Sequence, residues 1–223
     1  MDVLEAIMTR KSIRAFTDQE VSKERIDKLL EISQRSPSGT NTQPWQVYVC
    51  AGAVRQAITD DVLALAAEGK SKKYEDFDYY PPTWSELHNS RRRSVGWGLY
   101  GLLGIEKGDR AAMAKQGARN FKFFDAPVGL FITTDTYLSL GSWADAGMYI
   151  QTIMLAARGL GLHTCPQAAW ISFQEPVFRH LGIPDDQALV SGMSLGYADD
   201  GAIENTLVSE REDVANVAHF RGF

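Results

Sequence analysis

The hydrophobic positions divide the chain into helical and extended segments. Residues 2–9 predict a short helix with Val3, Leu4 and Ile7 on one side. Residues 21–33 predict a longer helix: Ser22 is placed to cap it, Val21 to staple against Ile26, and Ile26, Leu29 and Leu30 form the stripe to be buried. After Trp45, Val47 and Val49 alternate with Gln46, Tyr48 and Cys50, as in a strand. Residues 53–68 predict a helix closed by Gly69. The stretch 70–120 is less regular. Pro81-Pro82 breaks the chain, Thr83 with Glu86 forms a capping-box pattern for a helix starting near Trp84, and Asp109 is placed to cap a helix over 110–119. Residues 128–134 are an apolar run of strand length. Residues 143–158 predict a helix whose 150–157 portion is apolar on nearly every side, which places it at the centre of the molecule, with Gly159 and Gly161 ending it. Residues 162–165 and 188–197 complete the strands, with Gly192 and Gly196 admitting close neighbours. Between them Ser172 and Glu175 form a second capping box for 173–181, with Pro176 in the first turn.

Length and composition narrow the class. A chain of 223 residues, 44% hydrophobic and 23% charged, fits a soluble globular protein with a sizeable core. A net charge of −5 argues against general nucleic-acid binding. Two cysteines, Cys50 and Cys165, make no disulfide framework, so a reducing cytoplasm fits best. The acidic start, Met1-Asp2-Val3-Leu4-Glu5, lacks a secretory pattern, and no apolar run reaches the length of a membrane span. His88, His163, His180 and His219 are scattered without ligand spacing, so no metal is expected. No G-x-S-x-G element points to a hydrolase.

Two polar stretches remain as candidate chemistry. In Arg10-Lys11-Ser12-Ile13-Arg14, an extended backbone would put Arg10, Ser12 and Arg14 on one face, which suits an anion; a solvated basic turn accounts for the same residues. The second stretch is Ser36-Pro37-Ser38-Gly39-Thr40-Asn41-Thr42-Gln43-Pro44-Trp45. Two prolines stiffen it, and a row of small donors and acceptors between them suits the edge of a flat heterocycle, or an ordinary turn between helix and strand. Gly96-Trp97-Gly98-Leu99-Tyr100-Gly101 fits G-x-G-x-x-G. Arg91-Arg92-Arg93 precedes it where a dinucleotide fingerprint needs a strand, so no Rossmann domain is expected.

The two stretches, in this order and with a helix between them, resemble the FMN-dependent nitroreductase family. The resemblance covers most of the chain. It implies one α+β domain over 1–223: a mostly antiparallel sheet flanked by helices, a variable helical excursion over about 70–120 that lines the substrate channel, and a C-terminal arm over about 198–223 that crosses a homodimer and adds a strand to the other sheet. It implies bound FMN and transient NADH or NADPH. By resemblance Arg10, Ser12 and Arg211 hold the phosphate with Lys11 beside it, and Arg221 competes with Arg211. Arg14 lies near the pyrimidine edge. Pro37, Ser38, Gly39 and Asn41 come from the other subunit, with Gln43 supporting their loop. The turn Pro166-Gln167-Ala168-Ala169 gives a backbone N–H from Ala168 or Ala169 to flavin N5; Glu-Gly often stands where this chain has Ala-Ala. Gly196 lets the last strand pass near the cofactor. No side chain is expected to be catalytic, since the flavin carries the hydride. The implied reaction is ping-pong reduction of a nitroaromatic compound, with nitrobenzoates the favoured class, or of a quinone. The aromatic residues of the excursion and one of its arginines would face that small aromatic substrate. The same fold also admits reductive dehalogenation, enone reduction or flavin binding without turnover.

Overall fold

A computed structural model describes residues 1–71 and 79–223. Tyr74 and Phe77, two of the aromatics expected along the channel, lie outside the described residues. In chain order the elements are α1 (Val3–Thr9), α2 (Lys23–Ser33), β1 (Trp45–Ala51), α3 (Gly52–Ala67), α4 (Glu86–Leu102), α5 (Arg110–Ala118), β2 (Val128–Asp135), α6 (Leu140–Gly159), β3 (His163–Gln167), α7 (Gln174–Leu181), β4 (Gln187–Gly196) and α8 (Val214–Val217). The four strands form one antiparallel sheet in the order β1-β2-β4-β3. The α+β expectation therefore holds.

The sheet is covered on both faces, and strand alternation sorts its side chains. Tyr48, Cys50, Phe131 and Leu189 point into a core closed by α3, α7 and the 3₁₀ segments Arg119–Asp125 and Ala168–Phe173. Trp45, Val47, Leu130, Ile132, Met193 and Leu195 point the other way, against α2 and α6. On that side Trp45 stacks on Tyr149 with ring centroids 4.5 Å apart.

Several local expectations are met. Ser22 caps α2 by accepting the N–H of Arg25, and Asp109 caps α5 through Ala112. Val21 and Ile26 share the second core, although Leu30 is only half-buried. Residues 96–101 lie inside α4, which excludes a phosphate-binding turn there. Both predicted capping boxes fail. Ser85, not Thr83, caps α4, because the chain bends at Pro82 and Thr83 and the helix begins only at Glu86. Ser172 falls inside a 3₁₀ turn wound to bury Trp170, Ile171 and Phe173, and α7 starts at Gln174 with no side-chain cap. Burial of two aromatic rings outweighs one capping bond.

Two apolar surfaces depart from the periodicity argument. Val3, Leu4 and Ile7 of α1 stay exposed, with Leu4 at 70%; only Ala6 is buried in that helix. On α6 one face enters the core while Met148 and Gln151 face solvent, so this helix is not enclosed within one chain.

Bare backbone on β2 and β4 seats the aromatic core. A Cβ at Gly192 would stand 2.2 Å from Trp170, and one at Gly129 would stand 2.3 Å from Phe123. Phe123 and Trp170 pack with centroids 4.6 Å apart. Phe123, Phe124 and Asp125 all take positive φ, a costly backbone held by that packing. Gly192→Ala is expected to destabilise the fold by about 1–3 kcal/mol through overpacking, read as a lower urea midpoint with an unchanged slope.

Candidate functional site

The site is built on the open edge of β3. The chain after α1 lies extended along it: the N–H of Ile13 donates to the carbonyl of Thr164 at 3.1 Å, and Ser12 pairs with Thr164 in a parallel bridge. Farther on, Phe16 bridges to Ala198, and Thr17 N–H donates to the Tyr197 carbonyl at 2.9 Å. Asn205 clamps the segment. Its Oδ1 accepts the N–H groups of Arg14 (2.8 Å) and Ala15 (3.2 Å), while its Nδ2 donates to the carbonyls of Ala15 (2.8 Å) and Asp199 (2.9 Å).

This arrangement gathers Arg10, Ser12 and Arg14 around Cys165 of β3. The Ser12 side chain hydrogen-bonds the buried thiol, and both guanidiniums act on it electrostatically. Desolvation nevertheless dominates and pushes the Cys165 thiol up to about 11. Arg10 Nη1 lies 4.0 Å from Met154 Sδ of α6. Burial, and next the positive charge of Arg211, lower the proton affinity of Arg10. The charge of Arg211 on the tail is thus felt at Arg10. Among the described residues no carboxylate lies within ion-pair distance of Arg10, Arg14 or Arg211. Arg211 otherwise bonds only its own segment, at Ser209 and Glu210, and Arg221 bonds the carbonyl of Phe220.

The 37–43 loop is held elsewhere. Gly39 N–H donates to both carboxylate oxygens of buried Asp145 on α6 at 3.2 Å. Thr40, Asn41 and Gln43 take positive φ. Gln43 braces them: its N–H donates to Ser38 Oγ at 2.9 Å and its Nε2 to the Asn41 carbonyl at 3.1 Å. Asp145, which carries this loop, and Met154, which touches Arg10, are nine residues apart on α6, roughly 13 Å along the axis. Among the described contacts none joins the loop to Arg10, Ser12 or Arg14.

Pro166 and Gln167 end β3, and Ala168 and Ala169 open the 3₁₀ segment. The first N–H groups of such a segment have no carbonyl partner inside it. The Gln167 side chain is committed internally: Nε2 donates to the Asn120 carbonyl at 2.6 Å and Oε1 accepts from Ser194 Oγ at 2.7 Å. At Gly196 a Cβ would meet Pro127 at 2.8 Å and Phe16 at 3.1 Å, so the bare backbone admits these side chains. Lys11 Nζ donates to the Asn205 carbonyl at 2.7 Å and so secures the clamp.

The excursion presents Tyr79, Tyr80 and Trp84 as an aromatic string, with Arg92 over Trp84 at 5.4 Å. Trp97 meets Tyr100 edge-on farther along α4. Arg91 pairs with Glu212 of the tail.

Residues 7–197 match the Nitroreductase family. The chain belongs to the nitroreductase family. It is 38% identical over 217 residues to a 4-nitrobenzoate reductase of Pseudomonas putida, covering 97% of this chain and 94% of the relative. It is 41% identical over 193 residues to a 4-nitrobenzoate reductase of Nocardioides sp., covering 85% and 78%. Among solved structures, the FMN and NADPH-dependent nitroreductase NfnB from Sphigopyxis sp. strain HMH superposes with a TM-score of 0.96 at 38% identity over the whole of both chains. NfnB from Mycobacterium smegmatis, solved in complex with NADPH, gives 0.93 at 30% identity over 98% of this chain and 97% of its own.

In this nitroreductase, sequence reasoning missed Asn205 and Asp145. Asn205 sits in an irregular stretch with no periodicity to single it out. Asp145 had a signal: it is the sole charged residue between Leu140 and Ala157. Asn205→Ala is expected to cost about 2 kcal/mol or more, since it orphans buried backbone groups. Faster hydrogen exchange across residues 12–16 than across β2 would localise the loss. The thiols give a pH test. Burial raises Cys165 to about 11 and Cys50 to about 12 from an ordinary 9.0, so unfolded thiols ionise first and their contribution to stability falls as pH climbs above 9 towards 11. Both cysteines should resist a thiol reagent at pH 9 in the folded protein and react once urea unfolds it.

Proposed function

We propose that the protein is an FMN-dependent NAD(P)H oxidoreductase that reduces nitroaromatic compounds, nitrobenzoates foremost, as a homodimer. The observation that carries the reading is the gathering of Arg10, Ser12 and Arg14 about Cys165, with the charge of Arg211 felt at Arg10 and, among the described residues, no carboxylate within ion-pair distance of these arginines. Guanidiniums without an acidic partner favour an anion, and their forks suit a phosphate. The donor set fits the phosphate end of FMN, and the effect of Arg211 on Arg10 favours Arg211 over Arg221 for it.

When bound, FMN supplies two-electron hydride chemistry, first with NAD(P)H and then with the nitro compound. The chain supplies the rest. Arg10, Ser12 and Arg211 grip the phosphate, and Lys11 fixes the segment that presents them. Arg14 would place positive charge beside the pyrimidine edge. The backbone N–H of Ala168 or Ala169 would be the donor to N5. The 37–43 loop comes from a second chain, which accounts for its distance from the arginines within one chain. The exposed apolar face of α1 and the open side of α6 supply the surface for that second copy. The C-terminal arm reaches across it, and Tyr80, Trp84 and the α4 arginines line the channel, where an arginine meets a substrate carboxylate. The relatives reduce 4-nitrobenzoate by name, which favours that class here. Two buried free thiols agree with a reducing cytoplasm, and among the described residues no helix is long and apolar enough to cross a membrane.

Stopped-flow mixing with NADH or NADPH should bleach the flavin, and 4-nitrobenzoate should restore its colour, with parallel double-reciprocal lines in steady state. A flavin that stays oxidised under excess NADPH and NADH would rule the enzyme out. Arg10→Ala should loosen FMN by about tenfold or more. Arg14→Ala should lower the two-electron potential by about 30 mV or more with FMN retained. Unchanged retention and potential in the two variants would remove these residues from the site.

A further inference from the structure

A cleft of about 340 Å³ opens between the end of α1, the end of α6 and the 198–206 stretch. Its polar lining comes from Thr9, Lys11, Arg158, His163, Asp200, Asn205 and Thr206, and of the residues assigned to the flavin it includes only Lys11. Its two permanent cations rest on neutral acceptors. Arg158 Nη1 meets His163 Nε2, its Nη2 lies 3.4 Å from Thr9 Oγ1, and its buried Nε has no partner. Lys11 Nζ is spent on the Asn205 carbonyl. Among the described residues neither cation has a carboxylate within ion-pair distance. Asp200 is the single acid of the lining, which leaves Lys11 and Arg158 in excess over it. Desolvation and then Arg158 drive His163 down to about 4, with Lys11 adding to the effect and Asp200 opposing it. The imidazole is therefore neutral at pH 7, in a cleft of positive potential.

We propose that this cleft is a second anion site, taking a small tetrahedral oxyanion of the sulfate or phosphate class. Arg158, with its buried unpartnered Nε, and Lys11 would supply the charge and the donors. The hydroxyls of Thr9 and Thr206 donate to the carbonyls of Glu5 and Ile203, at 2.6 and 2.7 Å, and would join only by turning away from them. A forked guanidinium beside an ammonium suits an anion with several acceptor oxygens. The inference does not need the flavin reading: Lys11 is the one group common to both, and Arg158 is assigned no part in holding the flavin.

The test uses the FMN-loaded protein, titrated with sodium sulfate against sodium chloride at constant ionic strength. Calorimetry gives the stoichiometry, and histidine ring NMR locates the site, with His163→Gln identifying the signal among the four histidines. Saturable binding of one sulfate per chain is expected, shifting the His163 ring and leaving His88 and His180 unmoved. Arg158→Gln should weaken it about tenfold with FMN still bound. The wild-type ring signal decides the matter even if that variant folds poorly. A His163 signal that does not move, binding undiminished by Arg158→Gln, or sulfate that displaces FMN would each overturn the assignment. So would a structure of the dimer with a carboxylate of the second chain seated on Arg158.

Discussion

The structure depends on an irregular segment being treated as a strand. Residues 10–17 contribute only isolated bridges to the sheet edge, yet they carry Arg10 and Arg14, and their geometry is set by pairing at Ser12–Ile13 and at Phe16–Thr17. Thr164 fixes one end, Tyr197 the other, and Asn205 satisfies three backbone groups in between. An extended backbone presents alternate side chains to opposite sides, which is how Arg10 and Arg14 reach Cys165 while Lys11 turns to the clamp. Without that edge pairing the same sequence would be a basic turn in solvent.

The hydrogen bonds of the clamp are short-range in space and long-range in sequence. Asn205 lies about as far along the chain from Arg14 as this protein allows, so the site forms only when the tail has returned to the sheet. Arg119 helps to bring it there by pairing with buried Glu204 and with Asp125. The aromatic cluster of Phe123 and Trp170 sits beneath, and its rings lie against bare backbone at Gly129 and Gly192. A change in that core therefore reaches the site through Asp125 and Arg119 without touching a cofactor-facing group.

The strands and long helices were legible in the sequence because period and length agree with burial on both faces of the sheet: Phe131 and Leu130 point to opposite cores, as alternation requires. The two motifs were legible because arginine, serine and proline-bracketed loops are unusual together. What escaped was decided by distant partners. Ser172 lost its capping role to the burial of Trp170 and Phe173. That Pro127 and Phe16 lie against bare Gly196 leaves no mark near it in the sequence. Val3, Leu4 and Ile7 carried a correct helical period, but a period does not say whether the covering surface belongs to the same molecule. Asn205 left no local trace, since its value lies in whom it meets.

Arg10 and Arg211 carry like charges that repel. On the proposed reading, an anion taken by both guanidiniums would relieve that repulsion, so its binding and the seating of the tail would favour each other.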